Sequence, residues 1–158
     1  MATVDSVGFT GFKALLARAM PGIAGGLIGG LAFGIVMHVE GMLPMVAMMV
    51  NSEAVVVGWI VHLIISIGLG VTFAFIFGSA VKSFVHGLAF GAMWGVIWWV
   101  LGALILMPIF LGMSEMVLTI DTMQWKSLMG HMIFGLVMGA VIALVAPKCH
   151  SKLRQSNS

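Results

Sequence analysis

Three histidines and a crowd of methionines are the residues of this chain that could do chemistry. His38, His62 and His131 each fall within or at the edge of an apolar run, where an ionisable side chain is costly and faces a pathway, a ligand or a partner rather than lipid. Met37, Met42, Met45, Met48, Met49, Met107, Met113, Met116, Met123, Met129 and Met132 cluster toward the same ends of those runs, leaving only Met1, Met20, Met93 and Met138 elsewhere. Neutral imidazole and thioether sulfur together suit a soft ion such as Cu(I). His38, His62 and His131, with Met37 and Met132 as adjacent soft donors, therefore form a candidate metal site, and Glu40 and Glu53 would concentrate cations at its mouth. A second reading takes only His62 and His131, which on separate helices could ligate haem b from both faces or hold a quinone. The plainest alternative is structural: each imidazole bonds a neighbouring carbonyl or hydroxyl, and methionine fills gaps in apolar packing.

No other chemistry is written in the chain. There is no nucleophile with a matching base, no phosphate loop and no cysteine cluster, so no enzyme is expected. The single Cys149 excludes an intramolecular disulfide. His86 opens an apolar run beside Lys82 and reads as interfacial. Trp94, Trp98 and Trp99 sit too deep for an interfacial belt and are candidates to line a cofactor or simply to pack, whereas Trp59 and Trp125 are placed as belt anchors. Met45-Val46-Ala47-Met48-Met49 has an M-x-x-x-M spacing like that of copper-uptake channels, but the rest of that pattern is absent.

The elements that must position these residues are membrane helices. The 158 residues are 61% hydrophobic and 8% charged, with a mean hydropathy of +1.19, far from a soluble domain. The formal charge of +2 is small and its basic residues are scattered, so no nucleic-acid partner is expected. The fold class read from this is all-α and polytopic, with four transmembrane helices over about 21–39, 55–77, 87–112 and 127–146. Residues 1–20 read as an amphipathic interfacial segment, and 147–158 as a polar cytoplasmic tail. Pro21 is expected at a helix start and Pro147 at a helix stop. The third span would measure about 39 Å against a hydrocarbon core of about 30 Å, so a bend is expected at Pro108. Residues 41–50 are too short to cross again, and either extend the first helix or lie at the surface.

Glycine recurs every fourth residue at Gly22, Gly26, Gly30 and Gly34, at Gly87, Gly91 and Gly95, and at Gly135 and Gly139. In lipid such ladders are helix-packing faces that let backbones approach closely. Gly30-Leu31-Ala32-Phe33-Gly34 returns as Gly87-Leu88-Ala89-Phe90-Gly91, Met42-Leu43-Pro44-Met45 resembles Leu106-Met107-Pro108-Ile109, and His62 has a counterpart in His131. These echoes indicate a duplicated two-helix repeat, although the interval between the first two blocks is seven residues longer in the second copy.

Lys13, Arg18, Lys82, Lys148, Lys152 and Arg154 fall in segments on one side, and Glu40, Glu53, Glu115 and Asp121 fall opposite with only Lys126. The positive-inside rule then places both termini in the cytoplasm. Val56–Ser66, containing Trp59 and His62, and Ile97–Pro108, containing Trp98 and Trp99, resemble segments of small uncharacterised prokaryotic four-helix inner-membrane proteins. The resemblance implies a prokaryotic inner membrane and no assigned activity. Besides the lipid bilayer, the expected partners are further copies of the chain or other subunits of a larger membrane complex, in an accessory, structural or small transport role.

Overall fold

A computed structural model describes the backbone of Val4–Ser156 and the side chains of residues 15–146. The described residues form helices and turns without strands, in the order α1 (Val4–Val39), α2 (Leu43–Ala47), α3 (Val55–Phe77), α4 (Phe84–Trp98), α5 (Met107–Phe110) and α6 (Thr122–Ser156). A π-helical stretch, Trp99–Leu106, joins α4 to α5. Leu15–Val39, Val55–Phe77, Phe84–Phe110 and Thr122–Ala146 are each long and apolar enough to cross a bilayer. The chain is thus an all-α, multi-pass membrane protein.

Two expected helix ends are not ends. Pro21 lies inside α1 and Pro147 inside α6. A proline removes one hydrogen bond and crowds the carbonyl four residues earlier, but it need not stop a helix whose other bonds persist. From Val4 onward the segment read as 1–20 is continuous with the first span along its backbone; its side chains before Leu15, and those of the tail 147–158 with Cys149, lie outside the described residues.

α1 is the central helix, and its glycine doublets explain why. Successive residues on a helix point about 100° apart, so Gly25-Gly26 and Gly29-Gly30 each serve two neighbours. On one face, a methyl group built on Gly22 would stand 2.6 Å from the Gly70 carbonyl oxygen, and Gly26 and Gly30 press on Ser66, all in α3. On the other face, Gly25 and Gly29 meet Met138, Ile142 and Phe134 of α6. α6 in turn packs on α4, with Gly87 against Gly139, Gly91 against Gly135 and Gly95 against the His131 carbonyl. All nine ladder glycines except Gly34 thus meet helix backbone or a small side chain inside the chain; Gly34 instead receives the Trp59 ring.

These contacts reset the register of the repeat. Gly22, Gly26 and Gly30 face α3 as Gly87, Gly91 and Gly95 face α6, so Gly30 corresponds to Gly95 rather than to Gly87. The five-residue identity is displaced by two rungs of a four-residue ladder. In the structural register Gly30 precedes Pro44 by 14 residues and Gly95 precedes Pro108 by 13, so the apparent seven-residue discrepancy shrinks to one.

The same register exposes an asymmetry. Gly25, Gly29 and Phe33 of α1 correspond to Phe90, Trp94 and Trp98 of α4. Where α1 offers glycine and closes on α6, α4 offers aromatic rings and is held off from α3, the two helices making almost no close backbone approach. Phe73 and Phe77 of α3 meet Phe90 and Trp94 across this seam, with ring centroids 5.3 to 6.0 Å apart. Nearer the other end the seam is open.

At that end two segments fold back. After Glu40 and Gly41, whose φ of +68° suits glycine, α2 turns into the bundle with Leu43, Val46 and Ala47 buried, and Leu43 packs on Gly58 of α3. Residues 41–50 therefore do not continue α1: burial of Met42, Leu43, Val46 and Ala47 draws one side of the segment inward, while Met45, Met48 and Val50 stay exposed. In the third span the irregularity precedes Pro108 as a π-helical stretch. Pro108 has no N–H for the Leu104 carbonyl, and the Leu118 N–H returning from the loop donates to it at 2.9 Å, meeting the demand that backbone groups at membrane depth be satisfied.

Candidate functional site

The open part of the seam is a cavity of about 220 Å³ at the acidic end of the bundle. Every span contributes: Phe33 and Met37 from α1, His62, Ile65 and Leu69 from α3, Trp98, Gly102, Ala103, Leu106 and Met107 from the third span, and Met123, Gln124, Ser127 and His131 from α6. Met42, Met45, Val46 and Met49 of the fold-back segment, and Phe110 of α5, complete the walls. Six methionines and two histidines thus share one space. The π-helical stretch matters here, because its wider turn is part of that wall.

Each imidazole is held by one nitrogen. His62 Nε2–H donates to the Gly30 carbonyl at 2.9 Å, a bond made possible by the close approach of α1 and α3. His131 Nδ1–H donates to the Ser127 carbonyl one turn back at 2.8 Å, with Ser127 Oγ 3.4 Å away. In the neutral ring this leaves the lone pairs of His62 Nδ1 and His131 Nε2, for which no hydrogen-bond partner occurs among the described residues. A backbone carbonyl that accepts from one ring nitrogen fixes the tautomer and orientation of the imidazole, as it commonly does for a histidine that ligates through the other. The Phe33 ring packs against both imidazoles, with centroids 5.3 Å from His62 and 4.8 Å from His131, and fills a notch over Gly130.

Of the residues singled out from the sequence, His62, His131 and Met37 come together here. His38 does not line the cavity. It is exposed at the end of α1, where its Nδ1 accepts from Trp59 Nε1–H at 3.4 Å, and Trp59 is fixed by lying over Gly34. Met132, half-buried, is also outside the walls, its backbone beside Gly95. No group of three or more His, Cys, Asp or Glu side chains with metal-binding spacing occurs among the described residues, so any metal held in the cavity would depend on thioether sulfur. Glu40 does not stand as free charge at the mouth: it forms an ion pair with Lys126 that ties the end of α1 to the start of α6.

Phe33, Gln124 and Ser127 line the cavity without having been singled out from the sequence, whereas Trp98, a candidate there to line a cofactor, does stand in its wall. For Trp98 a signal existed, since it lies deep in its span; for Phe33 the cue was the glycine at position 130 that admits its ring. Trp99 turns elsewhere, donating from Nε1–H to the Gln124 carbonyl at 2.9 Å and stacking on the exposed Trp125. The Nε1–H groups of Trp94 and Trp98 are buried with no acceptor among the described residues.

No known protein family matches the chain, and neither the curated proteins nor the solved structures contain a significant match to it. Fold and site together define a class only: a small four-helix integral membrane protein with a methionine- and histidine-walled cavity.

Proposed function

We propose that this is a non-enzymatic accessory or small transport protein of a prokaryotic inner membrane, with its termini and Lys82 cytoplasmic, that holds Cu(I) in the outward-facing cavity. The observation that carries the reading is the convergence of His62 and His131, each with one uncommitted ring nitrogen, on a cavity also lined by Met37, Met42, Met45, Met49, Met107 and Met123. Thioether and neutral imidazole prefer a soft monovalent ion to the hard divalent cations, and a site without carboxylates gives the latter little hold. Association with further copies or with another subunit belongs to the same proposal. The ladders are occupied within the chain, so such contacts would use lipid-facing residues such as Val56, Ile60 and Ile64.

Haem b on His62 and His131 has less support, because the Phe33 ring is in contact with both imidazoles where an iron porphyrin would have to stand. The test is a competition titration of purified, metal-free protein against a chromogenic Cu(I) chelator. One Cu(I) per chain is expected. His62→Ala and His131→Ala should each weaken binding by about tenfold or more, since even supporting residues of metal sites are worth 10–100-fold. The double variant should be little worse than either single one, and His38→Ala should bind as the wild type does. Wild-type protein that takes no Cu(I) from the chelator contradicts the proposal.

A further inference from the structure

The segment that folds back after α1 turns a row of thioethers toward the cavity. Met42, Met45 and Met49 follow one another at three and four residues, the spacing that puts side chains on one face of a helix, and all three line the cavity. Met48, off that spacing, does not line it and is exposed. The packing of the segment is done by other residues: Leu43, Val46 and Ala47 are almost fully buried, with the Leu43 backbone lying over Gly58. A methionine that only fills a gap in a core is itself buried, whereas Met45 is 37% exposed although it lines the cavity.

The row continues into the bundle. The Met42 N–H donates to the Met37 carbonyl at 2.8 Å, so its inner end stands beside Met37, the α1 thioether that shares the cavity with His62 and His131. Met42 and Met37 are only 8% and 6% exposed, and accessibility thus falls from Met45 inward. Met45 and Met49, one turn apart, have Cβ atoms about 6 Å from each other, within reach of a single ion through their flexible side chains. The segment joins the ends of the spans Leu15–Val39 and Val55–Phe77, which puts its exposed side chains at the membrane surface. Among the described residues no aspartate or glutamate lines the cavity, so an ion on this row is held by neutral sulfur alone, a donor that suits a soft monovalent cation.

We infer that Met45 and Met49 form an outer Cu(I) position, distinct from the one on His62 and His131, from which the ion passes inward by way of Met42 and Met37. The transfer is an exchange of neutral ligands: one sulfur leaves the ion as the next joins it, and copper stays Cu(I) throughout. The inference rests on the Cu(I) reading and adds to it an entry position that is occupied in transit. Two thioethers hold the ion less firmly than a set that includes two imidazoles, so a strong chelator strips the outer position and one Cu(I) per chain remains.

The experiment follows transfer of Cu(I) from a weak coloured chelator to the metal-free full chain by stopped flow, and measures the equilibrium affinity in parallel. Met45→Leu/Met49→Leu, which nearly conserves side-chain volume, should slow both loading and release about tenfold, the lower end of the loss expected when support for a metal is removed, and leave the affinity unchanged. Met48→Leu should load as the wild type does. A double variant that loads at the wild-type rate overturns the inference, as does one whose affinity falls with the loading rate unchanged, which would make the two sulfurs ligands of the inner site. Equal slowing in Met48→Leu also overturns it. A second measurement leaves the row intact: in His62→Ala/His131→Ala labelled with ¹³C-methyl methionine, added Cu(I) should shift the Met45 and Met49 methyl resonances and not that of Met48, and unmoved Met45 and Met49 signals contradict the outer position. Each of these failures leaves the Cu(I) reading standing, whereas wild-type protein that takes no Cu(I) at all contradicts that reading and this inference with it.

Discussion

His62 and His38 show how little the identity of a residue says about its use. Both follow a small residue by one helical turn or precede one by the same interval, so both seemed to lie on packing faces. The difference is made by Trp59, whose ring occupies the notch at Gly34 and reaches the His38 nitrogen, while His62 one turn further on finds the Gly30 carbonyl at 2.9 Å. That the outer histidines and methionines matter was legible from their types and depth; which of them converge was not, because it depends on rotamers set by neighbours far away in sequence. Phe33 is the case in point, touching both imidazoles from α1. Phe33→Ala should cost about 3–5 kcal/mol, as for large aromatic truncations in packed interiors, seen as a lowered thermal midpoint in detergent. It should also weaken Cu(I) binding if the ring sets the separation of His62 and His131. An unchanged midpoint would show that the ring does not bear on the packing.

The helices were legible as elements, and their glycine ladders as faces, because lipid leaves few ways to satisfy a backbone and fewer ways for helices to come close. What escaped was local. The fold-back of α2 depends on burying Leu43 and Val46 against α3, and the π-helical stretch before Pro108 depends on a loop residue, Leu118, returning to the Leu104 carbonyl. Neither partner is close in sequence. The ladders themselves give a sharp contrast of like residues. Gly30→Leu and Gly91→Leu place a large side chain against Ser66 or against the Gly135 backbone and should destabilise the protein by about 1–3 kcal/mol or prevent its assembly. Gly68→Leu, at a position open within 4 Å, should cost nothing measurable and even gain helix propensity. Thermal unfolding of the three variants, compared in one detergent, decides it. Equal loss in all three would mean that the ladders are not the contacts that hold the bundle.

The whole molecule is two glycine-packed helix pairs, α1 with α3 and α4 with α6, in which α1 closes on α6 and α4 does not close on α3. The echo between the pairs was legible; its register was not, because a ladder with a four-residue period matches itself equally well two rungs away. The asymmetry that opens the cavity is nonetheless encoded in residue size, with Gly25, Gly29 and Phe33 set against Phe90, Trp94 and Trp98. Orientation in the membrane belongs to this scale too. With Cys149 replaced by Ser, a cysteine introduced at Ser114 should react with an impermeant maleimide in intact cells, and one at Ser79 only after lysis; the reverse pattern would invert the topology and turn the cavity toward the cytoplasm. The claim on which the rest depends is that the two imidazoles and the methionine sulfurs act as one donor set. X-ray absorption at the copper edge of protein loaded with one Cu(I) tests it most directly. Binding in the cavity predicts a first shell of mixed sulfur and imidazole nitrogen, with the nitrogen contribution falling in both His62→Ala and His131→Ala and unchanged in His38→Ala. A shell of nitrogen and oxygen alone, or one that none of these substitutions alters, would contradict it.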